Sequence, residues 1–478
     1  MPTRILELQY DSSSLNYFEQ LPASQYAVRL RSSVSSCAGR YDILAANPAT
    51  VIETHRDESA AATLARVRAA IEQYTSPVER ADYLAIGLPF VSGAIGLLSY
   101  GAGEDLTDIE HRLDARWPAT HAGIYQWAIV QDHTALRSWL VADDKLENSA
   151  WQALHDRFSA ATLNTTPLTS LMPQHGQAQE QDAQARNLFG LTSNWTSSLD
   201  WHQYNEKFDL LQGYIRSGDC YQVNLTREFT AQYSGEPWQA FKQLQLTAPA
   251  PFSGFLKRPN ATVISCSPER FIALHDSRAI TQPIKGTKPR GEDAAQDAKL
   301  ISELSASEKD RAENLMIVDL MRNDFGKVCT TGTVSVPELF RIKSYSNVHH
   351  LLSTVSGHLP LQNPATALEL LNACMPGGSV TGAPKKRAME IINELEPHCR
   401  SIYCGSLFYI NRDGEMDSNI LIRSLLFTDT EASSGSKSVY CWGGGGIVAD
   451  SNCEEEFAES DYKIAHILKT LKAMNSEP

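Results

Sequence analysis

The chain has 478 residues, with 42 Lys and Arg against 56 Asp and Glu, and a formal net charge of −14 at pH 7. This length allows a large core, either in two lobes or in one large layered fold. An acidic chain lacks the clustered cations that bind phosphate backbones, so we expect no nucleic acid partner. The sequence contains no run of eighteen apolar residues and begins with strand-like alternation, so we expect a cytoplasmic protein without membrane association.

The nine cysteines are scattered singly along the chain. The closest pair, Cys399 and Cys404, lacks the C-x-x-C spacing that is typical of zinc and redox sites. We therefore expect reduced cysteines that pack in the core.

In chain order, residues 1–165 predict a sheet-rich region. Its strand-like segments are Tyr26 to Ser33, Tyr41 to Ala45 and Ala94 to Tyr100. Residues 166–195 are rich in Thr, Gln, Ala and Pro, a composition typical of a surface connection. Residues 196–478 mix helices and strands, beginning with a predicted helix from Asp200 to Ser217 and a strand from Tyr221 to Leu225.

Two later helices are predicted, one from about Ser305 to Arg322 and one from about Glu454 to Met474. The second has capping-box spacing from Ser451 to Glu454, which indicates that Ser451 caps its first turn. These two helices matter because each carries a pair of acidic residues near its beginning.

Asp310 and Glu313 lie three residues apart on the first helix, as do Glu456 and Glu459 on the second, so each pair shares one helix face. Together they can hold Mg²⁺, which prefers oxygen ligands and keeps several waters. The alternative is that they complement the helix dipoles and stay solvated. Lys463 falls on almost the same stripe as Glu456, where it either reaches the same pocket or forms an exposed salt bridge.

The segments Ser267-Pro268-Glu269-Arg270 and Pro283-Ile284-Lys285-Gly286-Thr287 offer a carboxylic acid and an amine nucleophile on neighbouring strands. An amine attacks only when it is neutral, so covalent catalysis by Lys285 requires a buried, cation-rich pocket. A proton donor at Glu269 requires a raised pKa, which apolar surroundings favour and a nearby cation opposes. The two residues therefore make opposing demands on one pocket.

A hairpin that turns at Asp413-Gly414 is predicted to pair Ser401–Ile410 with Ser418–Phe427, which places Tyr403 nearly opposite Arg423. A guanidinium on an apolar strand face needs an anionic partner. That partner is either a substrate carboxylate held bidentately or a structural ion pair.

Two glycine-rich segments resemble nucleotide-binding loops only in part. Gly377–Lys385 has the first half of a P-loop but places Ala-Pro before its lysine, which excludes ATP binding there. Gly443–Gly446 lacks the G-x-G-x-x-G spacing, so we expect a loop whose backbone closely approaches a ligand. His350 shares a predicted strand face with Val348 and Leu352, where a satisfied core histidine is the ordinary interpretation.

Five segments, in this order, resemble the chorismate-utilising enzymes. They are Tyr221–Leu225, Ser267–Phe271 with Pro283–Arg290, Ala312–Asp324, Pro376–Lys385 and Gly443–Glu459. The match covers about Ser197 to Leu471. The Pro-Ile-Lys-Gly-Thr segment discriminates within the family, because the anthranilate-forming branch carries alanine where Lys285 stands. The resemblance therefore points to the branch that converts chorismate and ammonia to 4-amino-4-deoxychorismate for folate synthesis through para-aminobenzoate.

The resemblance also implies the architecture. The family has an α+β fold of the anthranilate synthase component I type, with two large packed antiparallel β-sheets and helices outside. We therefore expect strands of both sequence regions to build the two sheets, with the active site in the cleft.

The resemblance further implies the roles of individual residues. Lys285 would attack ring carbon 2 while Glu269 protonates the hydroxyl that leaves carbon 4, and ammonia would then enter at carbon 4 and expel the lysine. Mg²⁺ would be bound through Glu313 and Glu459, assisted by Asp310 and Glu456. The implied substrate-binding residues are Tyr403 and Arg423 for the enolpyruvyl carboxylate, Lys463 and the backbone of Gly444, Gly445 and Gly446 for the ring carboxylate, and His350, Ser379 and Thr381 around the ring.

The resemblance also predicts partners. No cysteine lies in a nucleophile elbow with a partner histidine, so ammonia must be free or come from a separate glutamine amidotransferase subunit. The family can bind tryptophan near an L-E-S pattern, and Leu30-Arg31-Ser32 is the positional match, with Ser32 as the candidate residue. Arg31 departs from that pattern. The alternative functions are anthranilate or isochorismate formation and a non-catalytic regulatory subunit.

Overall fold

The computed structural model describes residues 3–21, 26–31, 40–55, 58–77, 87–106, 109, 114–159, 189–345, 348–429 and 437–474. The strands in these ranges are β1 (Thr3–Leu8), β2 (Val28–Arg31), β3 (Tyr41–Ala45), β4 (Thr50–Glu53), β5 (Gly93–Leu98), β6 (Thr120–Tyr125), β7 (Trp127–Asp132), β8 (Arg137–Asp143), β9 (Gly190–Leu191), β10 (Thr196–Ser197), β11 (Gln222–Ser234), β12 (Phe252–Arg258), β13 (Ala261–Ser267), β14 (Arg270–His275), β15 (Arg278–Thr281), β16 (Ile284–Pro289), β17 (Ser335–Ser344), β18 (Val348–His358), β19 (Gly382–Ala383), β20 (Ser406–Asn411), β21 (Met416–Asn419), β22 (Ser424–Asp429) and β23 (Lys437–Ile447). The helices are α1 (Leu15–Glu19), α2 (Ala60–Tyr74), α3 (Tyr100–Leu106), α4 (Asn148–Ser159), α5 (Trp201–Ser217), α6 (Pro237–Thr247), α7 (Ala294–Ala306), α8 (Glu308–Gly326), α9 (Pro364–Cys374), α10 (Lys385–Leu395) and α11 (Cys453–Ala473).

The strands form two antiparallel sheets. The first has the order β1-β8-β7-β3-β2-β12-β13-β22-β23-β11-β10, with β9 and β19 also paired to β11. The second has the order β16-β18-β15-β14-β21-β20-β5-β6-β4, with β17 on β18. The pairs β2–β12 and β5–β20 join early and late strands within each sheet. The predicted two-sheet α+β architecture is confirmed, while the division at residues 166–195 stays a prediction.

Side chains along the central strands point alternately to the two faces of the sheet, and this divides the hydrophobic core into two clusters. Val263 of β13 belongs to a cluster that contains side chains of both sheets. Its neighbour Ile264 belongs to a second cluster, which includes Phe241 of α6 and Ile464 of α11. Successive side chains of a strand point to opposite faces, so the first sheet is buried on both faces and helices cover the face away from the second sheet.

A buried ion pair ties the β20–β21 turn to the end of β8. The Arg412 guanidinium donates to Asp143 Oδ2 at 2.7 Å, and the two side chains are 1% and 0% exposed. Asp143 also accepts the Ser92 hydroxyl at 2.7 Å. Removing one partner would leave an uncompensated buried charge.

We expect Arg412→Ala to lower the free energy of unfolding by about 3–5 kcal/mol, measured by chemical denaturation. The control is Arg137→Ala, because Arg137 pairs with Glu7 at 2.8 Å in an exposed position and its loss should change stability little. Equal destabilisation by the two variants would contradict the structural role assigned to the buried pair.

The structure confirms most of the predicted elements near the site and corrects the beginning of α11. The predicted helix at Asp200–Ser217 is α5, with Asp200 as its N-cap. The capping box at Ser451 is wrong, because Asn452 caps α11 by accepting from the Glu454 and Glu455 amides.

The described cysteines and helices can be compared with the predictions made from composition. The described cysteines form no disulfide with one another. Among the helices in the described ranges, none combines the length and apolarity needed to cross a lipid bilayer.

Candidate active site

The candidate site lies where the chain passes from one sheet to the other. Residues 267–270 lead from β13 of the first sheet to β14 of the second, and residues 420–423 lead from β21 back to β22. The Ile420 amide donates to the Glu269 carbonyl at 3.2 Å, and the Cys266 amide donates to the Arg423 carbonyl at 3.1 Å. The two crossings therefore run side by side.

This geometry overturns the predicted continuous strand Ser418–Phe427. β21 ends at Asn419, β22 begins at Ser424, and Arg423 between them has a φ of 51°. Arg423 therefore sits at a sharp bend, not on a strand face, and its side chain is exposed. The bend is what directs the guanidinium toward the junction of the sheets.

Glu269 is a buried acid at this junction, 7% exposed. Burial raises the pKa of its carboxyl from 4.5 to about 7, against the opposing influence of Lys285, the Ser379 hydroxyl, the Ile284 amide and Arg423. The loss of hydration raises the pKa of Glu269 more than the nearby cations lower it. The sequence alone did not show which of these two effects is larger. At neutral pH a substantial fraction of Glu269 carries the proton that a leaving hydroxyl needs.

Lys285 projects from an irregular part of β16. The register with β18 shifts between Ile284 and Thr287, and Gly286 has a φ of 79°. A bulge of this kind re-aims a side chain, and here the Lys285 ammonium lies 3.7 Å from Glu313 Oε2. Asn314, the residue after Glu313, is fully buried and donates to the Pro283 carbonyl at 3.3 Å, which fastens α8 to β16.

The expected cation-rich pocket around Lys285 is not found in the described residues. Lys285 is half-buried, pairs with Glu313 and lies within electrostatic reach of Glu269. The cation at the junction, Arg423, acts on Glu269 and His350 instead. A cation that drew Glu313 away from Lys285 would release the amine.

His350 is half-buried on β18, so it is not a fully buried core histidine, and its place in the substrate site stays a prediction. Its Nδ1 lies 2.8 Å from the Thr287 hydroxyl, and its ring contacts Tyr345 edge-on at 5.5 Å. Burial, followed by the charge of Arg423, lowers the pKa of His350 to about 4. The ring is therefore neutral at physiological pH and offers a hydrogen bond without a charge.

Ser379 and Thr381 lie on a short turn at 378–381 beside Glu269. Ser379 lowers the pKa of Glu269, but its Oγ is buried and makes no geometrically satisfactory hydrogen bond to the described residues. Thr381 is fully buried, and its hydroxyl donates to the Gly377 carbonyl at 3.0 Å, so it shapes the turn from behind. Tyr403 is 5% exposed and stacks on Trp442 with ring centroids 6.1 Å apart. Its predicted contact with a substrate carboxylate stays a prediction.

Gly443–Gly446 is part of β23 and not the predicted loop. Gly444, Gly445 and Gly446 pair with Thr226, Leu225 and Asn224 of β11. A Cβ added to Gly445 would lie 2.8 Å from Glu456 Oε2 and 3.6 Å from Glu459 Oε1, so this bare backbone makes room for both carboxylates.

The acidic residues of α11 are held by specific partners. Glu456 is buried and accepts the Ser451 hydroxyl at 2.7 Å. Burial raises the pKa of Glu456, and the charge of Glu459 adds to this while Ser451, Lys309 and Lys463 oppose it. Lys463 pairs with Glu459 at 2.5 Å and donates to the Gly444 carbonyl at 3.0 Å.

The carboxylate oxygens of Asp310, Glu313, Glu456 and Glu459 suit a hard divalent cation. In the described structure, no three of these residues bring their oxygens within 4.8 Å of one another. Asp310 lies against Gly286, where an added Cβ would be 2.9 Å from its Cγ. Among the described residues, the three-residue group with ligand atoms within 4.8 Å is His275, Asp276 and Glu415, and it includes none of the predicted ligands. Its carboxylates approach opposite nitrogens of His275, at 3.3 and 2.8 Å, which is an ion-pair arrangement. A site that uses few direct carboxylates and several waters fits the four predicted residues.

The proposed tryptophan residue, Ser32, lies outside the described residues. Leu30 and Arg31 line a cavity of about 440 Å³ that also includes Phe252 and Met416. Arg31 Nε lies 3.7 Å from Asp42 Oδ2, so the Arg31 guanidinium already forms an ion pair within the protein. Tryptophan binding in this cavity stays a prediction.

The sequence did not predict two sets of charged residues near the candidate site. Lys309 acts on Glu456 from the beginning of α8, which brings the two acidic helices into one electrostatic environment. Arg400 and Glu396 form a buried ion pair behind the 378–381 turn. Their spacing of four residues was the available signal, although such spacing is common on ordinary helix surfaces.

The chain is similar in sequence to known chorismate-binding enzymes. A family profile described as chorismate binding enzyme matches residues 31–469. The chain is 42% identical over 468 residues to aminodeoxychorismate synthase component 1 of Escherichia coli strain K12, covering 95% of each chain. It is 40% identical over 468 residues to the protein of the same name from Klebsiella aerogenes, covering 96% of each chain.

Among solved structures, anthranilate synthase component I from Streptococcus pneumoniae TIGR4 aligns with a TM-score of 0.71 at 26% identity, covering 91% of this chain and 93% of that one. The menaquinone-specific isochorismate synthase of Escherichia coli aligns with a TM-score of 0.69 at 17% identity, covering 99% of this chain and 95% of that one. These alignments confirm the predicted fold type.

Proposed function

Because the chain belongs to the family of chorismate binding enzymes, we propose that it aminates chorismate with ammonia to give 4-amino-4-deoxychorismate, as an aminodeoxychorismate synthase component 1. The observation that carries the proposal is the placement of Lys285 within electrostatic reach of the buried acid Glu269 at the sheet junction. Lys285 is the nucleophile that distinguishes this reaction from anthranilate formation, and Glu269 has the raised pKa of a proton donor. Two relatives named aminodeoxychorismate synthase component 1 match this chain over nearly their whole length, and they support the same function.

The proposed chemistry is covalent and conserves atoms. Lys285 Nζ bonds to ring carbon 2 while the hydroxyl leaves carbon 4 as water with the proton of Glu269. Ammonia then bonds to carbon 4, the bond from Lys285 to carbon 2 breaks, and a proton returns to Glu269. Chorismate and ammonia thereby yield the amino product and water without net oxidation or reduction.

The surrounding residues bind and orient the dianionic substrate. Arg423, exposed at the bend between the sheets, offers a guanidinium to the enolpyruvyl carboxylate, with Tyr403 nearby in the preceding turn. Lys463 and the β23 backbone from Gly444 to Gly446 face the ring carboxylate. Neutral His350 and Ser379 lie beside the ring.

Glu313 and Glu459 would hold Mg²⁺, with Asp310 and Glu456 contributing through water. When bound, the ion supplies positive charge for the ring carboxylate and for the carboxylates that otherwise pair with Lys285 and Lys463. This explains how Lys285 can be paired in the structure and still be available for attack.

Ammonia would come from a separate glutamine amidotransferase subunit. The relatives named component 1 imply a second component. Four of the described cysteines are unsuited to glutamine hydrolysis, since Cys266, Cys374, Cys404 and Cys441 are buried and burial raises the pKa of each thiol. A buried thiol of this kind is a poor nucleophile for glutamine hydrolysis.

Product identification tests the proposal. Purified chain is incubated with chorismate, ammonium chloride and Mg²⁺, and the products are separated by chromatography. We expect 4-amino-4-deoxychorismate. Fluorescent anthranilate or isochorismate would contradict the proposed branch, and unchanged chorismate would favour a non-catalytic subunit.

We expect Glu313→Gln to raise the Mg²⁺ concentration for half-maximal activity by about tenfold or more, because one carboxylate charge is lost from the site. The measurement is a Mg²⁺ titration of chorismate consumption. The control is Glu308→Gln, an exposed residue of the same helix, which should leave the titration unchanged. An unaltered titration of Glu313→Gln would show that the metal site is elsewhere.

A further inference from the structure

Arg227 is a buried arginine on β11 that faces α11. Its side chain is 4% exposed, and its Nε and Nη2 donate to the Ser460 hydroxyl at 3.0 and 2.8 Å. Nη2 also pairs with Asp461 Oδ1 at 2.6 Å. The guanidinium lies over the ring of Phe457, with Cζ 3.9 Å from the ring centroid. One side chain of the first sheet therefore binds three residues of the helix.

These contacts give the guanidinium a fixed orientation. Its Cζ is also 4.9 Å from the ring centroid of Phe229, which lies two residues along β11 and on the same strand face. The Ser460 hydroxyl donates to the Phe457 carbonyl at 2.6 Å, so the acceptor that Arg227 uses is itself held by α11. A planar cation between rings, a hydroxyl and a carboxylate has a set geometry, which an ammonium on a flexible stem does not reproduce. Arg227 therefore fixes how α11 is rotated about its own axis.

The strand beside Arg227 allows α11 to come close at the same level. Arg227 pairs directly with Gly443 of β23. A Cβ added to Gly443 would clash with the Ser460 carbonyl oxygen, so the backbone of α11 meets bare backbone of β23 at this point. The arginine and the glycine thus act on the same turn of the helix, one by binding it and the other by making room for it.

The acidic residues of α11 are adjacent in sequence to the residues that Arg227 binds. Glu456 directly precedes Phe457, and Glu459 directly precedes Ser460. Both carboxylates approach β23 at Gly445, two residues from the close contact of the two backbones. A helix is a rigid cylinder with 3.6 residues in each turn, so a rotation of α11 at its anchor would carry both carboxylates with it.

We propose that Arg227 is a positioning residue for the divalent cation, because it sets the rotation of α11 that presents Glu456 and Glu459 together. The inference rests on the proposed function for the metal-binding role of the two glutamates. Charge and position make opposite predictions for the removal of Arg227. The loss of a nearby positive charge would tighten cation binding, whereas the loss of the anchor would weaken it.

The test measures binding of Mn²⁺, used as a probe of the magnesium site, without turnover. Mn²⁺ alone is titrated into the purified full chain, and the free ion is quantified by electron paramagnetic resonance. Glu459→Gln defines the site as the binding that this variant loses. We expect Arg227→Gln to weaken that binding by about tenfold, as the loss of groups that orient ligands does at other metal sites. If Arg227→Gln does not fold, Arg227→Lys serves, because it keeps the charge but loses the planar contacts, and it should weaken binding in the same direction.

The matched control is Arg258→Gln. Arg258 on β12 likewise pairs with a carboxylate, that of Glu53 at 2.8 Å, and lies over an aromatic ring, that of Trp117 at 4.8 Å. Strands β13 and β22 separate β12 from β23. This variant should lower Tm and leave Mn²⁺ binding unchanged.

Wild-type or tighter Mn²⁺ binding in Arg227→Gln would overturn the proposal, as would an equal loss of binding in Arg258→Gln or a wild-type chain that binds no Mn²⁺ through Glu459. Product identification is a separate assay. If the chain forms a different product from chorismate but Arg227→Gln still binds Mn²⁺ more weakly, the proposed function fails and the role of Arg227 stands. If the expected amino product forms and Mn²⁺ binding is unchanged, only the role of Arg227 fails.

Discussion

Replacing Lys285 by alanine is expected to lower kcat for chorismate amination by roughly 10³-fold or more, because the proposed covalent route depends on this amine. Lys285 lies on the bulge of β16, 3.7 Å from Glu313. The measurement is steady-state amination with saturating ammonium and Mg²⁺, with binding of chorismate followed separately to show that the pocket is intact.

The control is Lys288→Ala in the same strand. Lys288 pairs with Glu303 at 3.5 Å in an exposed position, so its loss should leave kcat close to wild type. If Lys285→Ala retained wild-type kcat, covalent catalysis would have to be abandoned even though the fold and family would stand.

Replacing Glu269 by glutamine is expected to reduce activity and to increase stability at alkaline pH. Loss of the proton donor should lower kcat by about 10²- to 10⁴-fold. The folded chain raises the pKa of Glu269 from 4.5 to about 7, so folding favours the protonated form. Wild-type stability contributed by this group is therefore complete below about pH 4.5 and is lost as pH rises through about 7.

Glutamine resembles the protonated acid at every pH. At pH 8 we expect Glu269→Gln to unfold with a free energy roughly 3 kcal/mol above wild type, and at pH 4.5 with nearly the wild-type value. Urea denaturation at the two pH values measures this difference. The control is Glu206→Gln, exposed on α5, which should change stability little at either pH. A glutamine variant less stable than wild type at pH 8 would contradict the burial of a protonated Glu269.

Local patterns predicted the elements that carry the site. The helical spacing of Asp200–Ser217 gave α5, and the acidic pairs fall on α8 and α11 as expected. These features depend on residues close together in the sequence. Glu269 and Lys285 were predicted to lie on neighbouring strands. That placement is wrong, because Glu269 lies in the crossing between β13 and β14 while Lys285 lies on β16, which pairs with β18, yet the charge of Lys285 still reaches Glu269.

The wrong predictions arose where distant segments decide the local structure. Leu421, Arg423 and Leu425 alternate like one strand, but the chain changes sheets there because residues 267–270 make the matching crossing beside it. Glycine disfavours strands, so Gly443–Gly446 was interpreted as a loop. In the fold, the close approach of α11 and its carboxylates requires bare backbone in a strand.

The contacts of Arg400 were hidden for the same reason. Its acceptors include the carbonyls of Asn224 and Val380, which lie 176 and 20 residues away in sequence. Backbone acceptors carry no residue signature. Only the folded chain shows that these groups meet.

The most direct test of the account is the mass of the enzyme trapped with chorismate and Mg²⁺ in the absence of ammonia. Rapid acid quenching followed by mass spectrometry of the intact chain and its peptides should reveal a mass gain of chorismate minus one water, confined to the peptide that contains Lys285. The gain should disappear in Lys285→Ala and on addition of ammonium before the quench. An enzyme that turns over chorismate rapidly with ammonia, yet shows no adduct at Lys285 under any quench time, would contradict the covalent mechanism.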